Sequence, residues 1–309
     1  MASVAELGLG LAALGRPGYI NLGHGADVAD ASRDAMERTA HAVLDVAYDA
    51  GVRAFDAARS YGAAEAFLAS WLERRGLGRD DVVVSSKWGY AYTAGWRVDA
   101  DVHEVKDLSA EQLQRQWAET RALLGEYVRL YQIHSATLES GVLDDRAVRD
   151  ELAALRAGGI HVGLTVTGAG QAATLERALE VGGFDAVQAT WNLHERSAER
   201  ALARAHAAGL RVYVKEALAN GRLTVRGSNS ELAVAARERA TSEDAIALAA
   251  ALARPWADVV LSGAATVAQL ESNLDARTLT WDAGLEQRFA GLIEEPAAYW
   301  AERSALAWN

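Results

Sequence analysis

Short runs of apolar residues recur along the chain, and nearly all are followed by a polar turn and then by a segment with apolar residues at helical spacing. The runs predicted as strands are LGLGLAALG, VRAFDAA, DVVVSSKW, VRLYQIHS, HVGLTVTG, DAVQATWN, RVYVKEAL and DVVLSGA. The segments predicted as helices are 33–50, 63–75, 110–124, 145–157, 171–180, 197–208 and 242–252. Several strands are apolar on both faces, as strands covered by helices should be. Eight such units predict an α/β fold, a (β/α)8 TIM barrel, as a single domain over residues 1–309.

An open doubly wound sheet is the competing architecture. Its best sign would be a G-x-G-x-x-G fingerprint directly after the first strand. The stretch GLGLAALG supplies Gly8, Gly10 and Gly15, which have the wrong spacing. The barrel is therefore the favoured prediction.

The composition narrows the class of protein and its partners. The net charge of −11 argues against binding nucleic acid through a generally basic surface. The chain has no cysteine, which excludes disulfides and thiolate nucleophiles and fits a reducing, cytoplasmic location. Charged residues interrupt every apolar run, so we expect no membrane span. We also expect no metal site, and a monomer, because nothing in the sequence signals an exposed apolar face.

Two segments are longer than simple connections, residues 88–109 after the third strand and residues 219–240 after the seventh. Long loops that follow barrel strands build the pocket on one face, so we expect both to border the substrate. The aromatic residues of the first loop fit two interpretations, a small core within the loop or one wall of an apolar or sugar-stacking pocket. On the second interpretation the substrate-pocket residues are Trp88, Tyr90, Trp96 and Trp191.

Four polar residues follow successive strands. Asp56 and Tyr61 follow the second strand, Lys87 ends the third, and His134 ends the fourth. Each alone has a structural explanation, such as a salt bridge, a helix start or a satisfied histidine. However, the carboxyl ends of barrel strands meet at one mouth, and buried ionisable groups are costly unless they are paired. We therefore expect the four side chains to lie together.

The types of these four residues fit proton transfer to or from an oxygen atom. A lysine ammonium beside a phenol is expected to lower the phenol pKa from about 10, and a carboxylate keeps the lysine charged. A neutral histidine can hold a substrate oxygen in position. The set contains neither a nucleophile nor a hydride donor, so a nicotinamide cofactor is expected.

These motifs, in this order, resemble the aldo-keto reductase superfamily over essentially the whole chain. FDAARSYGAAE matches its Asp-x-x-x-x-Tyr-Gly-x-x-Glu motif, and VVVSSKWG and LYQIHS match its lysine and histidine strands. FDAVQATWN, VKEALANGRL and SGAATVAQLESNLDA are similar to its sixth strand, its seventh-strand turn and its eighth-strand cofactor segment. The resemblance implies that Asp56, Tyr61, Lys87 and His134 are catalytic, with Tyr61 as the general acid/base. It also implies cofactor binding by Thr165, Gln188, Lys215, Leu218, Ser262, Gly263, Ala264, Thr266, Gln269 and Asn273.

The resemblance implies a nicotinamide-dependent oxidoreductase that interconverts an aldehyde or ketone and an alcohol. NADP(H) is the cofactor that the family most often uses. Members that prefer it usually carry a base at the position of Gln269, whereas residues 262–273 contain no Lys or Arg. Because a phosphate dianion without a cation is poorly held, NAD(H) is a serious alternative. The helix N-terminus after Gly263, with Thr266, offers another way to bind a phosphate.

Two further positions depart from the family pattern. Thr165 and Val166 stand where Ser-Asn is common, and Lys215 and Glu216 stand where an aromatic residue often stacks on the nicotinamide. Lys215 is therefore expected to pair with Glu216 or to contact the substrate.

Two other functions stay open, an NAD-linked sugar or alcohol dehydrogenase working oxidatively and a slow-turnover sensor that binds the cofactor. The partner expected in either direction is a small carbonyl or sugar-like molecule. The C-terminal tail, residues 284–309, contains Tyr299 and Trp300, for which core packing is favoured over substrate contact.

Overall fold

A closed barrel of eight parallel strands forms the centre of the molecule. The computed structural model describes residues 5–309. Around the barrel the strand order is β1-β10-β9-β8-β7-β6-β3-β2, with β2 pairing back to β1. The barrel strands are β1 (Glu6–Gly10), β2 (Ala54–Asp56), β3 (Val83–Trp88), β6 (Val128–Ala136), β7 (His161–Val166), β8 (Ala186–Thr190), β9 (Arg211–Lys215) and β10 (Val259–Ser262). The predicted (β/α)8 architecture is confirmed.

Helices lie between the strands, and most begin within two residues of their predicted starts. The helices are α1 (His24–Asp27), α2 (Arg33–Asp49), α3 (Ala64–Arg75), α4 (Ala110–Leu124), α5 (Arg146–Ala157), α6 (Gln171–Val181), α7 (Glu199–Ala207), α8 (Ser230–Glu238), α9 (Glu243–Leu252), α10 (Val267–Leu274), α11 (Ala283–Arg288) and α12 (Pro296–Ser304). Serine caps define several starts, because the hydroxyls of Ser32, Ser109 and Ser242 accept hydrogen bonds from backbone amides of the first turn.

The interior of the barrel has an apolar layer below a polar one. The apolar layer consists of Ala54, Leu130, Ala186, Tyr213, Val259 and Leu261. Side chains alternate along a strand, so residues two positions later also point inward. On four strands these later residues are Asp56, Gln132, Gln188 and Lys215. The apolar layer therefore closes the barrel, and the polar layer lies next to its carboxyl-terminal mouth.

The two long loops contain regular structure that the sequence did not predict. Within residues 88–109, β4 (Tyr90–Tyr92) and β5 (Glu104–Lys106) form an antiparallel hairpin. Within residues 219–240, α8 packs against α9. Among residues 5–309, no helix has both the length and the apolar character needed to cross a membrane.

Candidate active site

A cavity of about 520 Å³ opens at the carboxyl ends of the barrel strands. Its wall includes inward-facing residues from the ends of β2, β6, β7, β8, β9 and β10. The loops that follow β1, β2, β3, β9 and β10 supply much of the rest of the wall, together with Arg303 and Trp308 from the C-terminal tail. This volume is typical of a small-molecule site, and the carboxyl-terminal face is where barrels build such sites.

Asp56 and Lys87 form a buried ion pair beside this cavity. The Lys87 Nζ atom donates to Asp56 Oδ2 and, at 3.0 Å, to the carbonyl of Ala57. Ser85 Oγ donates to Asp56 Oδ1 at 2.6 Å. Lys87 and Asp56 are 1% and 3% exposed, so each charge depends on the other for compensation.

Tyr61 reaches the same pair from the loop after β2. Lys87 Nζ donates to the Tyr61 hydroxyl at 3.3 Å. Gly15, in the loop after β1, packs directly against this loop. The Gly15 carbonyl accepts from Ala63 N at 2.7 Å, and a Cβ atom on Gly15 would lie 2.2 Å from the Tyr61 carbonyl oxygen. Only glycine fits there, and the contact holds the tyrosine segment against the loop after β1.

The Tyr61 phenol is held in its protonated form. Burial raises its pKa well above the usual value, the Asp56 carboxylate adds to the increase, and Arg16 opposes it. We expected the lysine to lower this pKa, but the net shift is upward. The ammonium of Lys87 is already paired with Asp56, so desolvation of the phenolate dominates.

His134 completes the group. Its Nε2 atom lies 3.5 Å from the Tyr61 hydroxyl, and the two rings meet edge to face at 5.4 Å. Burial lowers the pKa of His134 well below its usual value, and the positive charge of Lys87 lowers it further. The imidazole is therefore neutral at physiological pH, and its Nδ1 atom has no hydrogen-bond partner within residues 5–309.

The structure brings nine of the ten predicted cofactor positions to the cavity wall. The nine are Thr165, Gln188, Lys215, Leu218, Ser262, Gly263, Ala264, Gln269 and Asn273. The tenth, Thr266, caps α10 by accepting from Gln269 N, and it does not line the cavity. Gln188 Nε2 and Asn273 Oδ1 are buried polar atoms that lack a hydrogen-bond partner in the described part of the chain. Such atoms at a cavity wall indicate a polar ligand.

Gln269 belongs to a network that the sequence did not reveal. Its Nε2 atom donates to Asp27 Oδ2 at 2.9 Å, and its Oε1 atom accepts from Ala265 N at 2.8 Å. Arg226 binds both oxygens of Asp27, at 2.5 and 2.8 Å. Burial tends to raise the pKa of Asp27, but the hydrogen bonds from Arg226 and Gln269 outweigh it and lower the pKa. An anionic side chain therefore borders the cavity at Gln269.

Of the four aromatic residues predicted at the substrate pocket, only Tyr90 lines the cavity. Trp88 and Trp191 are fully buried in the core, because Lys87 and Thr190 point inward and the next residue on each strand points outward. Trp96 packs edge to face on Phe67, and its indole nitrogen donates to the Ala31 carbonyl. The prediction was therefore wrong for these three tryptophans.

The tail contributes to the cavity through residues that the sequence analysis did not single out. Tyr299 and Trp300 are buried, as favoured, and Tyr299 accepts a hydrogen bond from Asn192 Nδ2. Arg303 instead reaches the cavity and binds Glu216 at 2.6 Å. Trp308 stacks on His103 at a centroid distance of 4.0 Å. No local sequence signal marks these residues, because their partners lie on distant loops.

Arg16 is a further cavity residue that the sequence analysis missed. It is 2% exposed and pairs with Glu104 of the β4–β5 hairpin. It also donates to the Ser60 carbonyl at 2.9 Å and lies 5.3 Å from the centre of the Tyr61 ring. The arginine thus joins three loops around the tyrosine.

Comparisons with known proteins give a consistent result. The model described as "Aldo/keto reductase family" matches residues 6–284. An aldo-keto reductase from Bacillus halodurans superposes with a TM-score of 0.72 at 19% identity, covering 94% of this chain and 93% of that one. A glycerol dehydrogenase from Gluconobacter oxydans superposes with a TM-score of 0.70 at 18% identity, covering 93% and 90%. A comparison with curated proteins found no match.

Proposed function

Because the chain belongs to the aldo/keto reductase family, we propose that it interconverts an aldehyde or ketone and the corresponding alcohol with a nicotinamide cofactor. The observation that carries this proposal is the cluster at the cavity, in which Lys87 donates to the Tyr61 hydroxyl and His134 lies 3.5 Å away. The cluster handles protons only, and the cofactor supplies the hydride when it is bound.

In the direction of reduction, Tyr61 is the proton donor to the substrate oxygen. The phenol is protonated before the reaction, which is the form that a general acid requires, and its raised pKa is consistent with this. As the proton leaves, negative charge develops on the phenolic oxygen. The Lys87 Nζ atom, 3.3 Å away, stabilises that charge, and Asp56 holds the ammonium in place.

His134 orients the substrate. A neutral imidazole beside the Tyr61 hydroxyl can donate one ring N–H to the same substrate oxygen without competing for the proton. The substrate carbonyl oxygen then lies between two donors, the Tyr61 hydroxyl and the His134 ring N–H, and the carbonyl carbon faces the cavity.

The cavity wall fits a nicotinamide cofactor. Gln188 Nε2 is a buried donor suited to a carboxamide oxygen, and Asn273 Oδ1 is a buried acceptor suited to a ribose hydroxyl or an adenine amine. Thr165 and Ser262 add hydroxyls nearby. These residues would hold the cofactor, and their unpartnered atoms support its binding.

The preferred cofactor in this proposal is NAD(H). A 2′-phosphate at Gln269 would meet the Asp27 carboxylate, which is already paired with Arg226. Unphosphorylated ribose has hydroxyls that can donate to a carboxylate, as in other dinucleotide sites. This charge pattern also favours the oxidative alternative, since NAD-linked enzymes commonly work as alcohol or sugar dehydrogenases.

The choice of cofactor can be tested at Asp27. Asp27→Asn removes the negative charge and releases Arg226, so we expect the affinity for NADPH relative to NADH to rise about ten-fold, or about 1.4 kcal/mol. Fluorescence titration of both reduced cofactors measures the ratio. The exposed Asp150 gives a matched control, because Asp150→Asn should leave the ratio unchanged. If the NADPH-to-NADH affinity ratio is unchanged in Asp27→Asn, the adenosine ribose of the cofactor does not bind beside Asp27.

The proposed reaction itself is tested by titration followed by turnover. We expect the wild-type protein to bind NADH or NADPH, and to oxidise it in the presence of a panel of aldehydes, ketones and sugars. Binding without turnover of any carbonyl or alcohol would favour the sensor alternative. Failure to bind either cofactor would contradict the proposal.

A further inference from the structure

Lysine is rare in this chain and is concentrated at the site. Of the 31 basic Lys and Arg residues, only Lys87, Lys106 and Lys215 are lysines. Lys87 is the partner of Asp56, and Lys215 lines the cavity, whereas Lys106 is exposed on β5 and does not line it. An arginine stays charged and binds through a planar fork, whereas a lysine is a compact charge whose pKa shifts on burial. Two of the three lysines thus lie at the site, and of these Lys87 already has its partner.

The charges around Lys215 do not balance. The Glu216 carboxylate accepts from Arg303 Nη2 at 2.6 Å and from Thr190 Oγ1 at 3.1 Å. Lys215 Nζ lies 3.7 Å from Glu216 Oε1, too far for a good hydrogen bond, and it donates to Thr190 Oγ1 at 3.1 Å. One carboxylate thus faces two cations, and the cluster carries one excess positive charge.

The lysine has donors left for a ligand. An ammonium has three N–H groups, and the hydrogen bond to Thr190 Oγ1 engages one of them. The side chain is 17% exposed, and this exposure is toward the cavity that it lines. A buried cation with free donors is stabilised by an anion that supplies both charge and acceptors.

The other charged groups that face Lys215 define where that anion would bind. The pKa of Lys215 is lowered to about 8, chiefly by burial; the Glu216 carboxylate opposes this shift, and the charges of Arg303 and Lys87 add to it. In return, the Lys215 charge helps to lower the pKa of His134. Lys215 ends β9 and lines the same cavity mouth as Tyr61 and His134, so it lies at the reacting end of the cavity.

We propose that Lys215 binds an anionic group of the carbonyl substrate, a carboxylate or a phosphate ester, so that the preferred substrates are short oxo acids or phosphorylated aldehydes. This inference rests on the proposed function. The carbonyl lies between Tyr61 and His134, and the anionic group lies against the Lys215 ammonium, whose position the Thr190 hydroxyl fixes by accepting one of its N–H groups. Arg303 keeps Glu216 occupied, so the carboxylate of Glu216 does not displace the ligand.

Matched pairs of substrates test this inference. 4-Oxobutanoate is compared with its methyl ester, and glyceraldehyde 3-phosphate with glyceraldehyde, which separates the carboxylate from the phosphate as the anion. In the wild-type protein we expect kcat/KM to favour the charged member of one pair by about 10- to 100-fold, the range of a charge-assisted hydrogen bond. Lys215→Met should abolish this preference, so that the charged and neutral members of that pair have the same kcat/KM. Lys106→Met is the matched control and should keep the preference.

The pH dependence gives a second readout. The protonation state of the free enzyme governs kcat/KM, so the preference for the charged substrate should be full well below pH 8 and should fall as the pH rises through about 8 and Lys215 loses its proton. The neutral substrate should lack this decrease.

Three outcomes would overturn the inference, and two of them are measured on the wild-type protein alone. The wild-type protein could turn over the charged and neutral members of both pairs equally. Lys215→Met could reduce both members equally, with a matching loss of cofactor affinity, which would assign Lys215 to the cofactor. The wild-type preference could persist unchanged above pH 8. Absence of cofactor binding or of any turnover would instead mark failure of the proposed function.

Discussion

Tyr61→Phe is expected to lower kcat for carbonyl reduction by about 10²- to 10⁴-fold, the usual contribution of a general acid. The substitution removes only the hydroxyl that Lys87 contacts at 3.3 Å. The ring keeps its edge contact with His134 and its position near Arg16, so the fold and the cavity wall should be preserved. We therefore expect the cofactor dissociation constant to change by no more than about two-fold, because the loss belongs to the transition state alone.

Single-turnover kinetics and a cofactor titration measure the two quantities separately. Tyr92→Phe is the matched control, since the Tyr92 hydroxyl accepts from Trp96 N and does not line the cavity. It should retain wild-type kcat. Normal turnover by Tyr61→Phe would show that Tyr61 is not the proton donor. A comparable loss of kcat in Tyr92→Phe would point to a general effect of removing hydroxyls from this loop region.

The parts of the site that strands position were predictable from the sequence. Lys87 and His134 sit at strand ends, and closure of a parallel barrel brings strand ends to one mouth whatever the loops do. Gln188 follows the same rule, because it lies two residues beyond the inward-facing Ala186. The same alternation, applied strictly, would have assigned Trp88 and Trp191 to the core. A position directly after a strand-end residue in the sequence was the wrong criterion for assigning these tryptophans to the pocket.

The parts that loops position were not predictable. Asp27 and Arg226 meet across 199 residues, and Arg303 meets Glu216 across 87. No local pattern encodes such pairings, because they depend on how separate loops close over the barrel. The pKa of Tyr61 is a related case. The direction of its shift depends on burial and on the pairing of Lys87 with Asp56. The spacing of residues in the sequence reveals neither of these.

The second large effect is expected from breaking the Asp56–Lys87 pair. Asp56→Asn leaves the Lys87 ammonium without its counter-ion at a position that is 1% exposed. Breaking a buried pair from one side typically destabilises a protein by about 3–5 kcal/mol, because the remaining charge is desolvated and uncompensated. Lys87→Met should cost a similar amount by leaving Asp56 charged and buried. Urea denaturation of each variant measures the loss.

The double variant Asp56→Asn/Lys87→Met distinguishes an ion-pair effect from a packing effect. With both charges absent, no buried charge remains unpaired, so the double variant should be more stable than either single variant, although it stays inactive. Removing the exposed Arg97–Asp99 pair should leave the denaturation midpoint unchanged. If the losses of the two single variants simply add, the pair contributes through shape and hydrogen bonding. Lys87 would then not depend on Asp56 for the charge that it presents to Tyr61.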